Sequence, residues 1–344
     1  MKDLNDRQRL ILALVIHEYV ENALPVGSQH LVEHYDLGVS PATVRNAMVD
    51  LTDSGFLRQP HTSAGRAPTE EGYRYFVRQL MGQTDLPANT QRTITHQFYQ
   101  AGQDVNRWLR LAASVLAHQS QAASLVTSPR PEQAHFKHLE LIATHGRQVL
   151  MVMVLSEGQV RQQMLTLAEP VPQEQLSATA DRINQRCVEL GGEKIAALTD
   201  QGDALEQDVL KLISEELQPK AGNASVEVYR DGLRNVLAEP EFADSEAARK
   251  ALRVLEEQPF LEDVLRRTVL NNAGEGVQIL IGGEGTWEEL RDCSMVLARY
   301  GAPGQLTGAV GVVGPMRMAY GRTVSTVRFV SGLLSDLVIE MLAD

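Results

Sequence analysis

Cysteine is scarce. Only Cys187 and Cys293 occur in 344 residues, far apart in the chain, so no structural disulfide is expected. Basic residues are in deficit too, with 32 Lys and Arg against 44 Asp and Glu and a formal charge of −12, a balance that serves solubility and discourages loose binding to nucleic acid. Long apolar runs are missing. The stretch 10–16 lies between charged residues on an amphipathic segment, which argues against a signal peptide or a membrane span and predicts a cytoplasmic chain with no membrane partner. Catalytic constellations are lacking as well. No nucleophile is set beside a base and no metal-ligand set stands out, so an enzyme is not expected. Gly282-Gly283-Glu284-Gly285 and the series Gly308, Gly311, Gly314 match neither a dinucleotide-binding turn nor a phosphate loop. His135 and His138 are too few for a metal site, and Cys293, without a close His or Lys, reads as a small buried residue. Neither cofactor nor metal is predicted.

What the chain does have is 43% hydrophobic residues, enough for sizeable cores, and a length that predicts two or three domains. Its most informative stretch begins at Gly38-Val39-Ser40-Pro41-Ala42-Thr43-Val44-Arg45-Asn46-Ala47-Met48. Ser40 suits an N-cap, Pro41 suits the first helical position, and Val44, Met48 and Leu51 repeat at helical spacing. The opposite face carries Thr43, Arg45, Asn46 and Val49, and the Arg and Asn side chains can bond bidentately to guanine or adenine edges. Two helices are expected before it. One opens at Asn5 with Gln8 three positions on and continues through Leu10, Ile11, Leu14, Val15 and Tyr19; a shorter one starts at Ser28. That is helix-turn-helix order. Beyond Leu51 a break at Asp53-Ser54-Gly55 leads to a short strand, Phe56-Leu57-Arg58-Gln59, and a polar loop through Pro68 that reads as a wing. Candidate DNA contacts are Ser40, Thr43, Arg45, Asn46, Arg58, His61, Ser63 and Arg66. Residues 1–80 hold eight basic against ten acidic groups, but residues 54–69 hold no acidic group, so weak non-specific binding and a need for dimerisation are expected.

These residues also resemble a family. Val26-Gly27-Ser28, Ser40-Pro41-Ala42-Thr43-Val44-Arg45-Asn46, Gln59-Pro60-His61-Thr62-Ser63-Ala64-Gly65-Arg66 with Pro68, and Gly72-Tyr73-Arg74 are similar to the winged-helix domain of HrcA, the bacterial heat-inducible transcription repressor. The likeness continues in Glu289-Leu290-Arg291-Asp292-Cys293-Ser294 and Gly311-Val312-Val313-Gly314-Pro315-Met316-Arg317-Met318. It implies an α+β chain with an N-terminal winged helix-turn-helix, a GAF-like α+β domain and an inserted helical dimerisation segment. It further implies a homodimer on double-stranded DNA, at an inverted-repeat operator of chaperonin and chaperone operons, kept active by the GroEL chaperonin. A marginally stable native state, in which one or two kcal/mol alters the active fraction several-fold, is the physical premise of such a switch. A ligand-sensing winged-helix regulator with a small metabolite in the GAF-like domain is the alternative.

The expected organisation runs as follows along the chain. The DNA-binding domain covers 1–82, a polar linker 83–95, the GAF-like domain with its leading helix 96–171 and 223–344, and the inserted dimerisation domain 172–222. One long helix is predicted from Thr90 or Thr93 to about Ser128, then strands at 136–143, 149–155 and 159–167, and helices from Ser177 to Leu190 and from Leu205 to Leu217, closed by Pro219 and Gly222. A strand at 226–229, a helical region 244–270 containing Leu252, strands at 277–281, 293–300 and 305–313, and a terminal helix 322–342 complete the reading.

Overall fold

The computed structural model describes residues 4–62, 64–82, 85–102, 104–131, 134–156, 158–217, 227–242, 250, 253, 255–270 and 276–343. The chain is α+β and divides into two compact units, one of residues 1–129, 226–301 and 308–344, the other of 130–225 with 302–307. No described helix is long and apolar enough to cross a membrane.

The first unit opens with α1 (Asp6–Asn22), α2 (Ser28–His34) and α3 (Pro41–Asp53). Asn5 caps α1 in the expected reciprocal box, accepting from the Gln8 amide while the Gln8 side chain takes the Asn5 amide. Its buried side is Ile11, Leu12, Val15 and Ile16; Leu10, expected inside, is half-exposed because the helix is rotated by about one position. An antiparallel ribbon follows, β1 (Leu57–Arg58) with β2 (Ala67–Pro68), and then α4 (Glu70–Tyr75), which runs into a π-turn at Phe76–Leu80.

The single long helix expected to reach Ser128 is two helices and a strand. Helix α5 (Ala88–Gln100) starts inside the expected linker, of which residues 83 and 84 lie outside the described residues. It ends because Gly102 takes a left-handed φ of 67° and its carbonyl accepts the Trp108 indole N–H at 2.5 Å. Asp104 then caps α6 (Val105–Ser120) by accepting from the Arg107 amide. Residues Ala123–Thr127 form strand β3, buried at all five positions. A strand buried on both faces lacks the alternation that would reveal it, which is why it reads as more helix.

Strand β3 lies inside the main sheet, between β8 and β11. With β8 (Val228–Asp231), β9 (Val277–Ile281), β10 (Cys293–Gly301) and β11 (Leu306–Pro315) it gives the order β8-β3-β11-β10-β9; the two-residue β4 (Arg130–Pro131) pairs with the start of β11. Val226 lies outside the described residues, and β8 extends two residues past Tyr229. One face of this sheet, with Leu125, Met295, Leu297, Ala309 and Val313, buries against α10 (Leu233–Leu237) and α11 (Gln258–Leu265). Of the helical region 244–270, residues 244–249, 251, 252 and 254 fall outside the described set, Leu252 among them. On the other face α12 (Tyr320–Ala343) packs against β10 and α6 against β3.

The second unit holds a separate sheet. Strands β5 (Phe136–Ala143), β6 (Gln148–Leu155) and β7 (Val160–Thr166) pair antiparallel in sequence order, close to the expected bounds. Their inward residues Phe136, Leu139, Leu141, Val149, Met151, Met153 and Leu155 share one core with α7 (Gln173–Cys187) and α9 (Ala204–Leu217), and α8 (Gly192–Ala196) contributes Ile195. The strands expected in one body with residues 223–344 therefore belong, by packing, with the helices that follow them. Pro219 and Gly222 are outside the described residues. Glu206 on α9, 3% exposed in its side chain, is forked by Arg182 (2.9 Å) and Arg186 (2.5 Å), one turn apart on α7.

Candidate nucleic-acid interface

Helix α3 is defined at its start by chemistry the sequence carries. Ser40, in extended conformation, accepts from the Thr43 amide at 3.2 Å, and Pro41 occupies the first turn. Val44, Ala47, Met48 and Leu51 are buried. At 100° per residue the opposite direction runs along Ala42, Asn46, Val49 and Asp53, with Arg45 on one flank; all five are exposed. Thr43 sits at the other flank, half-buried, and its hydroxyl lies 3.0 Å from the Ser40 hydroxyl. Of the predicted contacts on this helix, Arg45 and Asn46 point outward together, while Ser40 and Thr43 are partly spent on the cap.

Helix α2 is tied to α1 by a polar knot. The Glu18 carboxylate, buried on α1, lies 2.7 Å from the His30 ring and accepts from the Tyr35 hydroxyl at 2.7 Å. The hydrogen bonds from His30 and Tyr35 hold its carboxyl below the usual glutamate range against the opposing effect of burial. On α2 itself the Glu33 carboxylate accepts from the Gln29 side chain at 2.9 Å.

The ribbon loop is stiffened by Gln59, whose amide donates to the Thr62 and Ala64 carbonyls at 2.9 and 3.2 Å. Arg58 and His61 are exposed on it; Ser63 lies outside the described residues. Arg66 is not a dangling side chain. Its backbone exchanges two 2.8 Å hydrogen bonds with Val26, and its Nε donates to the Thr52 hydroxyl of α3 at 2.9 Å. Gly65 makes that approach possible, for a Cβ there would stand 2.3 Å from the Val26 carbonyl oxygen. Gln59 and Thr52 are the residues sequence reasoning missed, and neither carries a local signal because each acts through a tertiary contact.

Two arginines tie these helices to the rest of the first unit. Arg74 on α4 bonds Glu70, donates to the Ile281 carbonyl at 3.0 Å and stands 3.4 Å from the Glu284 carboxylate. Arg317, after β11, donates to the Val20 carbonyl of α1 at 3.1 Å and to Glu241 at 2.5 Å, and pairs with Glu239. Between them Tyr73 packs 6.1 Å from Tyr320, ring to ring. The Gly72-Tyr73-Arg74 and Pro315-Met316-Arg317-Met318 segments thus build one junction.

Among the described residues no group of three or more His, Cys, Asp or Glu is placed to hold a metal ion. Cys187 and Cys293 are both buried and unpaired in separate units, and burial pushes the Cys293 thiol up to about 12.

An exposed strip on a capped helix beside a two-stranded ribbon fits the transcription-regulator class, and comparison with known proteins shows that class. The family model described as the HrcA protein C-terminal domain matches residues 106–324. The chain is 45% identical over 347 residues to the heat-inducible transcription repressor HrcA of Roseiflexus castenholzii (strain DSM 13941 / HLO8), covering 98% of this chain and 96% of that protein. It is 46% identical over the same length, with the same coverage, to the heat-inducible transcription repressor HrcA of Roseiflexus sp. (strain RS-1). In fold it resembles a hypothetical protein whose crystal structure is known at 2.2 Å, with a TM-score of 0.61, 24% identity, and coverage of 98% of this chain and 99% of that one. The chain belongs to the HrcA family of heat-inducible transcription repressors.

Proposed function

We propose that the chain represses chaperonin and chaperone operons by binding, as a homodimer, an inverted-repeat operator. Residues 1–82 act as the winged-helix reader, α3 as its recognition helix and the β1–β2 ribbon as its wing. The observation that carries this reading is the outward strip of α3, where Arg45 and Asn46 stand exposed opposite a fully apolar buried side. Arg45 suits guanine and Asn46 adenine in a major groove, with Arg58, His61 and Arg66 toward backbone or minor groove. Ser40 and Thr43 add hydroxyls at the helix start, and Ser63 is retained as a wing contact.

Dimerisation follows from the same need. One helix reads only a few base pairs, at about 1–3 kcal/mol of discrimination per bidentate contact, too little to single out an operator. The inserted segment proposed as 172–222 shares its core with β5–β7, and the outer face of that sheet supports the dimer. There Leu150, Val152 and Val154 are half-buried, and Ile142, Val160 and Met164 are 42%, 56% and 51% exposed. The main sheet with α10–α12 is the GAF-like body, and the GroEL chaperonin maintains the active form in the cytoplasm.

The test is a gel-shift titration of the full chain against the inverted repeat of a chaperonin operon and a scrambled duplex, at two salt concentrations, with and without chaperonin. Tight binding to the repeat, strengthened by chaperonin, is expected. Arg45→Ala or Asn46→Ala should relax sequence preference, while Arg66→Ala should weaken binding to all duplexes. Equal, weak binding to both duplexes under every condition overturns the reading in favour of a ligand-dependent regulator.

A further inference from the structure

We infer that Val49, with Ala42 two turns before it, reads thymine methyl groups in the operator; this rests on α3 being the recognition helix. Val49 is 39% exposed at the centre of the outward strip, in line with Ala42 and Asn46. An isolated exposed apolar residue is ordinary in a folded protein. Here, though, a β-branched side chain stands on the solvent side of a helix, where it lowers helix propensity and lies outside the buried side of Val44, Ala47, Met48 and Leu51.

Position supplies the reason. Ala42, Arg45, Asn46 and Val49 follow the spacing i, i+3, i+4, i+7, the spacing with which a homeodomain's third helix presents its base-reading residues to a major groove. In that groove the thymine C5-methyl is the one apolar group a base pair displays, and an aliphatic side chain is its complement. Val49 lies three residues beyond Asn46, about 4.5 Å along the helix axis at 1.5 Å per residue. That is close to one base-pair step of about 3.4 Å, so the thymine met by Val49 neighbours the adenine met by Asn46. The acidic groups Asp50 and Asp53 lie at the same end of α3 and hold no attraction for phosphate, which leaves contact through the valine methyls as the means of recognition there.

The experiment removes single methyl groups from the DNA. Each thymine of one half-site of the chaperonin-operon repeat is replaced in turn by deoxyuridine, and binding of the wild-type chain and of Val49→Ala is measured by fluorescence anisotropy. At one position near an adenine the wild type should lose about four-fold in affinity, the worth of one methyl group taken out of water. Val49→Ala should bind the unmodified repeat about four-fold more weakly and be indifferent to uracil at that position. Thermal melting of Val49→Ala, expected unchanged or slightly raised, shows that the fold is intact. If both proteins lose the same factor at every uracil, Val49 does not read a methyl group, although the reader assignment stands. If the wild type fails to prefer the repeat over a scrambled duplex, the reader assignment falls and this inference with it.

Discussion

Replacing Arg317 with leucine tests whether the junction under α1 stabilises the repressor or merely decorates it. The Arg317 side chain is 11% exposed and serves three acceptors, the Val20 carbonyl, Glu239 and Glu241. Leucine fills part of the volume but strands two carboxylates beside each other and leaves a helix-end carbonyl without its donor. Breaking a fully buried pair costs about 3–5 kcal/mol. Glu239 and Glu241 keep 25% and 30% of their side chains exposed, so water recovers part of their solvation. We expect a loss of about 2–3 kcal/mol, which in a body of this size lowers the melting temperature by about 4–12 °C. Differential scanning calorimetry at neutral pH measures it. Adding Glu239→Gln and Glu241→Gln to Arg317→Leu should restore part of the loss, because the stranded charge rather than the missing contact dominates. A melting temperature within a degree of wild type for Arg317→Leu would refute the reasoning.

Acid should loosen the α1–α2 knot. Because the Glu18 carboxyl titrates below its unfolded value, its contribution is complete above the ordinary glutamate pKa of about 4.3 and is lost as pH falls through the lower folded value. The melting temperature of wild type should exceed that of Glu18→Gln at neutral pH and converge on it below that range; a constant gap down to the acid limb refutes the assignment. Gly65→Ala should drive the ribbon off Val26, where the new Cβ meets only backbone atoms, costing stability and at least ten-fold in operator affinity at about 1.4 kcal/mol per decade. By contrast Gly332→Ala, in open space within α12, should raise stability by up to about 1 kcal/mol in the same melting assay.

Features whose cause is local could be read from the sequence. The Asn5 box, the Ser40-Pro41 helix start and the alternating β5–β7 strands all carry their own signals within a few residues. Strand β3 could not, since its five buried positions take their conformation from β8 and β11, more than a hundred residues away. The outward placement of Arg45 and Asn46 was legible because a helix presents one face by arithmetic alone. The tie from Arg66 to Thr52 was not, being set by how the ribbon folds back on α3. Arg74 and Arg317 lay in recognisable motifs, yet their acceptors Ile281 and Val20 stand 207 and 297 residues away in sequence, beyond any pattern of spacing.

The junction bears on how such repressors can diversify. An N-terminal region whose first helix ends on Arg317 and whose α4 reaches Ile281 and Glu284 is not an interchangeable cassette. Exchange of residues 4–82 between relatives is expected to succeed only when the turn after β9 and the segment after β11 travel with it. With α3 as the proposed recognition helix, new operator preferences are expected to come more readily from changing single side chains on its outward strip than from recombining whole domains.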